Sequence, residues 1–273
     1  MTSNTLAQEA RAISPVYHLT ALEKILLLVP TLGGLVFGLG PLLIPGPFAS
    51  ISGATGDDPY IYRLVGAAAF GYPVAVLLGL RQNWWLPVRL LVIAILVFNL
   101  GSLYAIAAQV ATGAATPVVY LILVASILII AITVWMLNNH RGLGETARDT
   151  APWLKWFLIF ATVAGAGVGL LLLFVPVETA HFWGYKGTDV FLYRQGGAAS
   201  LGYAAMGIFE LRSLNWEELR LPIIMALVFN GLSFILSLFA ILMGEPSLLP
   251  FVIAAVSLIV TVGTLVALGR RGR

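Results

Sequence analysis

The chain has 273 residues, of which 60% are hydrophobic and only 10% are charged, whereas soluble domains carry about 25% charged residues. So few charges cannot cover a water-facing surface, so the composition excludes an ordinary soluble protein and predicts an outer surface that meets lipid. The net charge of +3 does not indicate nucleic-acid binding, because the basic residues cluster at predicted helix ends. The sequence contains no cysteine, which excludes disulfides and thiolate chemistry.

Long apolar runs divide the chain into eight predicted membrane-spanning helices. A span needs roughly 20 apolar residues, because a helix rises about 1.5 Å per residue across about 30 Å of hydrocarbon. The first run is too long for a cleaved signal peptide and is therefore predicted to be a retained span. The predicted spans are 21–44, 60–80, 86–109, 117–137, 152–175, 190–211, 219–242 and 248–268.

The distribution of Lys and Arg favours one orientation in the membrane. An even number of spans places both termini on one side, which collects twelve of the 15 basic residues. The opposite side holds only Arg63, Lys186 and Arg194, together with two long predicted loops at 45–59 and 176–189. Cytoplasmic loops are rich in Lys and Arg, so we predict a multi-pass protein of a bacterial-type inner (plasma) membrane with both termini in the cytoplasm.

The second half of the chain repeats the first at a shift of 131 residues without a gap. Between positions 58 and 102, 19 of 45 residues are identical to their counterparts, including polar types that apolar composition alone does not align. The predicted fold is all-α and polytopic, with two parallel four-helix repeats packed face to face in pseudo-two-fold symmetry. The predicted segments are a cytoplasmic tail (1–20), repeat 1 (21–137), a linker (138–151), repeat 2 (152–268) and a basic tail (269–273).

A Tyr-Arg pair begins the second span of each copy, as Tyr62-Arg63 and as Tyr193-Arg194. An Arg so close to the interface can snorkel to the headgroups, so an anchoring role, or a salt bridge to Asp58 or Asp189, explains it without a ligand. The alternative is an anion clamp, in which both arginines hold a lipid headgroup or a carboxylate in a cleft between the halves. Gln195 follows the second pair, where the first copy has a leucine.

An asparagine lies near the centre of the third span of each copy, Asn99 in the first and Asn230 in the second. An unpaired amide in hydrocarbon costs a few kcal/mol, so each must find a partner. Hydrogen bonding between helices would suffice, and the functional alternative is a pair of amides that line a polar path. Tyr72 and Tyr203 form a further matched pair in the second spans.

The loop at 176–189 contains Glu178 and His181, which could share one helical face. One His and one Glu make a poor metal site, because zinc usually takes three or four ligands. We therefore predict no metal and no cofactor, and we expect Glu210 to face cytoplasmic water beside Arg212. Five tryptophans are predicted to lie in an interfacial belt: Trp84, Trp85, Trp153, Trp156 and Trp216.

Catalytic groups are sparse in this sequence, and no catalytic residue is predicted. The predicted spans contain no paired carboxylates and no histidine, and no acidic residue lies at the bilayer midplane, where proton-coupled pumps usually have one. The candidate ligand-binding residues are Tyr62, Arg63, Tyr72, Asn99, His181, Tyr193, Arg194, Gln195, Tyr203 and Asn230.

The second span of each copy also carries an Arg and a Gly, followed by a Trp near its inner end. These residues are Arg63, Gly66 and Trp85 in the first copy, and Arg194, Gly197 and Trp216 in the second. On these residues each four-span unit resembles the DoxX-like group of small bacterial four-helix membrane proteins. The resemblance implies a fold class and no active site, and the tandem duplication departs from the usual form of the group.

Three functions remain open at this point. The first is a binding or accessory role, either as a structural subunit with membrane-protein partners or as a binder of a lipid or quinone-like amphiphile. The second is transport of a small molecule through a site at the repeat interface, which requires Asn99 and Asn230 to face each other across a cavity. The third is an intramembrane enzyme that uses the outer loop 176–194, which requires a polar pocket beneath that loop.

Overall fold

The computed structural model describes residues 17–53, 59–140, 150–184 and 189–271, and within these ranges the chain is all-α, with no named strand. Of the predicted segments, residues 1–16, linker residues 141–149 and residues 272–273 lie outside this description. The described helices, numbered α1 to α10 in chain order, are Ala21–Leu43, Pro45–Ser52, Pro59–Gln82, Trp85–Ala111, Pro117–Asn139, Pro152–Phe174, Pro176–Phe182, Val190–Ser213, Trp216–Leu242 and Leu249–Arg271.

Seven of these helices are long and apolar enough to cross a membrane: α1, α3, α4, α5, α6, α9 and α10. They indicate a multi-pass membrane protein. Helix α8 has 24 residues, as many as α3, but it is not apolar enough to belong to this set. It is covered by α4 and α6 and also contacts α3, so its polar residues do not need to meet lipid.

Proline and glycine mark several helix ends. Proline occupies the first turn of α2, α5, α6 and α7, where its missing N–H has no intrahelical partner to lose. Gly53 ends α2 with a φ of 71°, a left-handed conformation that favours glycine. The short helices α2 and α7 each begin directly after a long helix, within the stretches that the sequence predicted to be loops.

The helices of the two halves interlock. Helix α4 packs mainly on α8, and α9 packs extensively on α3, whereas the sequence neighbours α3 and α4 make few contacts, as do α8 and α9. Around this centre α1 packs on α3, α6 on α8, α5 on α4 and α10 on α9. One large apolar cluster contains residues of both halves, so the halves share a core instead of meeting as two closed bundles.

Matched tyrosines join the halves at the centre of this core. The Tyr72 hydroxyl donates a hydrogen bond to the Ala199 carbonyl at 2.8 Å, and the Tyr203 hydroxyl donates to the Ala68 carbonyl at 3.0 Å. The two rings meet edge to face, with centroids 5.1 Å apart. Each hydroxyl lies against the glycine that precedes the opposite tyrosine, where a Cβ would clash with it. These contacts fix α3 against α8.

Glycines also allow the closest helix approaches within each half. A Cβ at Gly66 would lie 2.6 Å from the backbone nitrogen of Leu42, and a Cβ at Gly197 would lie 2.6 Å from that of Leu173. Only glycine fits such positions, because the opposing atoms are backbone and cannot move aside cheaply. The contacts hold α1 against α3 and α6 against α8.

Buried polar pairs close the end of the bundle at which α1 begins. The Nε2 atom of His140 lies 2.6 Å from the Glu23 carboxylate, and both side chains are almost fully buried. Trp85 stacks on the His140 ring at a centroid distance of 4.2 Å and is 1% exposed, so its predicted place in an interfacial belt is wrong. Nearby, Arg89 of α4 and the buried Glu218 of α9 form an ion pair of 2.7 Å between the halves.

Candidate functional site

Two cavities lie on either side of the shared core. Cavity 1 has a volume of about 570 Å³ and lies among α1, α3, α4, α5 and the start of α8. Cavity 2 has a volume of about 270 Å³ and lies among α3, α6, α8, α9 and α10. Many lining positions correspond at the 131-residue shift, for example Asn99 with Asn230 and Ser126 with Ser257. Cavity 1 falls within the range of about 300–1,000 Å³ that is typical of small-molecule sites.

Cavity 1 is a long apolar slot. At the end of the bundle that holds α2 it is lined by Thr112, Thr116 and Gly53. Further along the bundle it is lined by Ile129 of α5 and Pro30 of α1. Thr116 and Ile129 are 13 positions apart, which corresponds to about 20 Å along the helix. The slot can therefore hold an elongated apolar molecule.

Polar side chains from both halves meet on the wall of cavity 1. Gln195, in the second turn of α8, is 8% exposed, and its Oε1 accepts a hydrogen bond from the Ser102 hydroxyl of α4 at 3.0 Å. The Ser126 hydroxyl of α5 makes a longer contact of 3.5 Å with the same Ser102 oxygen. Ser102 and Ser126 belong to the first half and Gln195 to the second, so the wall depends on the interlocked packing.

Two donors of this wall have no hydrogen-bond partner among the residues that the structure describes. They are the Nε2 of Gln195 and the Nε of Arg194, and both atoms are buried. Both residues line cavity 1. A buried donor without an acceptor costs roughly 1–3 kcal/mol, so natural proteins normally satisfy such groups. An oxygen acceptor held in cavity 1 would satisfy these donors.

The two asparagines lie in different cavities. Asn99 lines cavity 1 and donates to the carbonyl of Ile95 at 2.8 Å, and Asn230 lines cavity 2 and donates to the carbonyl of Ala226 at 2.9 Å. Each amide is thus tolerated in an apolar helix by bonding to the preceding turn. They do not face each other across one cavity, so the arrangement that the transport alternative required is not present.

The remaining predicted site residues are also not brought together in one cavity. Tyr62 is buried and lines cavity 1, and Tyr193 is buried and lines cavity 2. Arg63 is partly exposed and lines neither cavity, so the two arginines are not brought together as one clamp. His181 lies exposed on α7 and also lines neither cavity.

Two residues of cavity 1, Ser102 and Ser126, were not singled out from the sequence, and Glu210 of cavity 2 was assigned to the wrong environment. Ser102 matches Ser233 in the repeat. A serine that recurs at the matched position of two apolar spans could have marked Ser102 as a candidate residue. Ser126 gives no comparable local signal, because its role depends on which helix α5 faces. Glu210 was expected to face water, but this prediction is wrong, because Glu210 is 4% exposed and lines cavity 2.

The polar side chains of cavity 1 offer hydrogen-bonding groups on a wall that is otherwise mostly apolar. Arg194 and Gln195 supply donors, and Asn99 supplies an amide oxygen on the same cavity wall. Among the described residues, no group of three or more His, Asp or Glu side chains could hold a metal ion. Comparison of the chain with protein-family models, with curated proteins and with solved structures finds no match.

Proposed function

We propose that the chain is a membrane protein that binds an amphiphile in cavity 1. The head of the ligand carries an oxygen acceptor, anionic or carbonyl, and lies at Arg194 and Gln195. Its apolar part extends along α1, α4 and α5. Lipid-like and quinone-like molecules both have this form. The observation that supports the proposal is the pair of buried donors without a partner, Arg194 Nε and Gln195 Nε2, on an otherwise mostly apolar wall.

The energetics of such a ligand divide between its two parts. When the ligand enters from the bilayer, its apolar part exchanges contacts with lipid for contacts with residues such as Phe37, Phe98 and Ile122. Lipid tails are as apolar as these side chains, so this exchange contributes little free energy. A hydrogen bond from a guanidinium to an oxygen acceptor is charge-assisted and roughly twice as strong as a neutral one. Arg194 and Gln195 therefore supply most of the preference for cavity 1 over bulk lipid.

We further propose that α8 is the eighth span and that the halves are parallel repeats around an axis along the membrane normal. Equal helix lengths support this: 23 residues in α1 and α6, 24 in α3 and α8, 27 in α4 and α9, and 23 in α5 and α10. The reciprocal hydrogen bonds of Tyr72 and Tyr203 support it as well. The similarity of each half to the DoxX-like unit is part of the same proposal.

The proposed orientation places both termini in the cytoplasm of a bacterial-type inner (plasma) membrane. Its support is the excess of Lys and Arg at the ends of the helices and loops on that side. The short helices α2 and α7, and the end of cavity 1 that is lined by Thr112 and Thr116, would then face outward. An amphiphile could enter cavity 1 from the outer half of the bilayer, because α1 and α5 make few contacts with each other.

The test is native mass spectrometry of the protein extracted gently from the membranes in which it is expressed. We expect the wild-type chain to carry one stoichiometric amphiphile and Arg194→Gln to lose it. The control is Arg63→Gln, which removes the matched charge outside the cavities and should retain the amphiphile. Retention by Arg194→Gln, or a wild-type chain without an amphiphile, would contradict the proposal. A stoichiometric membrane-protein partner in the same spectra would instead identify a subunit of a larger complex.

A further inference from the structure

Cavity 2 contains a buried carboxylate that the proposed function does not use. Glu210 lies near the end of α8 and is 4% exposed. No hydrogen bond or ion pair reaches its carboxylate from any described residue. Arg212, two positions further along the chain, is exposed and lies over the Phe209 ring at 5.2 Å. In the first half this position is Gly79, so the acid is particular to cavity 2.

A lone carboxylate in an apolar interior points to a positively charged partner. The charged form is costly to bury without one, and acidic residues within membrane proteins usually pair with a cation or mark a ligand pathway. The rest of cavity 2 offers what such a partner needs. The hydroxyl oxygen of Thr162 is buried without a hydrogen-bond partner among the described residues, and Thr162 lines the cavity. It lies against Gly207, about one helical turn before Glu210, and can accept a hydrogen bond from an ammonium group.

The remaining wall suits the organic part of a small cation. Phe157, Tyr203 and Phe229 line cavity 2 together with aliphatic side chains, and aromatic faces attract cations as well as apolar groups. Val168 and Leu171 line the cavity and are each about half exposed. Helices α6 and α10 make few contacts with each other. Cavity 2 is thus open laterally on the surface that meets lipid.

We propose that cavity 2 is a binding site for a small lipophilic ammonium ion. Glu210 pairs with the ammonium group, while the aromatic and aliphatic wall holds the organic part. The volume of about 270 Å³ suits a single-ring amine better than a long-chain lipid. The site is independent of the proposed function, because it lies in a separate cavity and uses the Glu210 carboxylate instead of the donors of Arg194 and Gln195.

The test uses the full chain in lipid nanodiscs with phenethylammonium as the probe, and empty nanodiscs as the blank. Calorimetry or ligand-observed NMR is expected to show saturable binding to the wild type. Glu210→Gln should weaken that binding by about tenfold or more, as expected for the loss of a charge-assisted hydrogen bond. The matched control is Glu217→Gln, which removes an exposed acid at the start of α9 and should change nothing.

Phenethyl alcohol, the neutral counterpart of the probe, separates charge pairing from apolar binding and should bind the wild type and Glu210→Gln equally. Arg194→Gln should leave phenethylammonium binding intact. If Glu210→Gln does not fold, a second variant, Ala226→Ile, tests the site. It narrows cavity 2 by introducing the residue found at the matched position of the first copy, and it should weaken the binding of both probes. No saturable binding to the wild type, equal phenethylammonium affinity in Glu210→Gln, or unchanged affinity in Ala226→Ile would overturn the proposal.

Discussion

Cavity 1 and cavity 2 are lined by matched residues, yet their polar groups differ in kind and place. In cavity 1, Gln195 accepts a hydrogen bond from Ser102 and presents an amide donor. At the matched place in cavity 2, Leu64 replaces the glutamine, and the hydroxyl of Ser233 has no partner among the described residues. At the other end of cavity 2 Glu210 supplies an acid, whereas the acid that lines cavity 1, Asp189, lies at the start of α8.

Under the two proposals, few substitutions between matched positions give the halves of the chain different binding preferences. Because the helices interlock, α8 of the second half supplies Arg194 and Gln195 to cavity 1, and α3 of the first half supplies Leu64 to cavity 2. A substitution at one of these positions therefore alters the cavity that lies mainly in the other half. The shared centre, by contrast, is held by the matched contacts of Tyr72 and Tyr203.

The largest expected effect comes from disrupting the contact between α3 and α8, which separates the two cavities. In Gly202→Val the new side chain must occupy the place of the Tyr72 hydroxyl and approach the Ala94 carbonyl. We expect a loss of about 3 kcal/mol or more of stability, because overpacking and a broken buried hydrogen bond act together. Thermal unfolding in nanodiscs measures it. Gly231→Ala is the control, since its new Cβ meets no atom within 4 Å. Equal unfolding temperatures for both variants would contradict this account of the core.

A second variant places an acid in the first half at the position that matches Glu210. In Gly79→Glu, the new Cβ would lie 2.6 Å from Val88 Cγ2 and 3.1 Å from Leu221 Cδ1. We expect a loss of roughly 1–3 kcal/mol from overpacking and no new ammonium site. Chemical unfolding measures the first outcome and the phenethylammonium titration the second. A stable variant with a second ammonium site would show that the two ends of the cavities are interchangeable.

A pair of exchanges at one matched position sharpens the comparison further. Gln195→Leu makes cavity 1 resemble cavity 2 and should weaken retention of the amphiphile by about tenfold, the effect of one lost hydrogen bond. Leu64→Gln makes the reverse change and should give Ser233 a partner. We expect it to create measurable retention of an acceptor-bearing amphiphile in cavity 2. Native mass spectrometry reads both, and unchanged retention in Gln195→Leu would exclude this residue from the site.

The smallest expected effects concern the matched tyrosines. Tyr72→Phe and Tyr203→Phe each remove one hydroxyl and one hydrogen bond to a backbone carbonyl. Each should cost about 1 kcal/mol of unfolding free energy, and the two costs should be similar because the contacts are reciprocal. Denaturant unfolding of both variants provides the comparison. A cost confined to one tyrosine would show that the two sides of the centre are not equivalent.

The all-α fold and the seven apolar helices were predictable because their signal is local. Predicted spans such as 86–109 and 117–137 agree closely with Trp85–Ala111 and Pro117–Asn139. The short helices α2 and α7 were missed because a single turn or two in a polar connection has no apolar periodicity. The interlocking of the halves was not predictable, because small residues pack equally well against either neighbouring half.

The candidate site was predictable only in part, for the same reason. Arg194 and Gln195 stood out as polar residues near the start of a predicted span, and both line cavity 1. The partner of Gln195, Ser102, lies on a helix that the sequence does not pair with α8. Glu210 was misplaced because its closeness to Arg212 suggested water, whereas the interlocked packing turns it into cavity 2.

The most direct test of the central claim is an experimental structure of the protein purified with lipid from its own membrane. We predict elongated density along cavity 1, with an oxygen atom about 3 Å from Arg194 Nε and Gln195 Nε2. Density elsewhere on the surface alone, with cavity 1 closed by side chains and both nitrogens bonded to protein atoms, would contradict the proposal that this cavity binds an amphiphile.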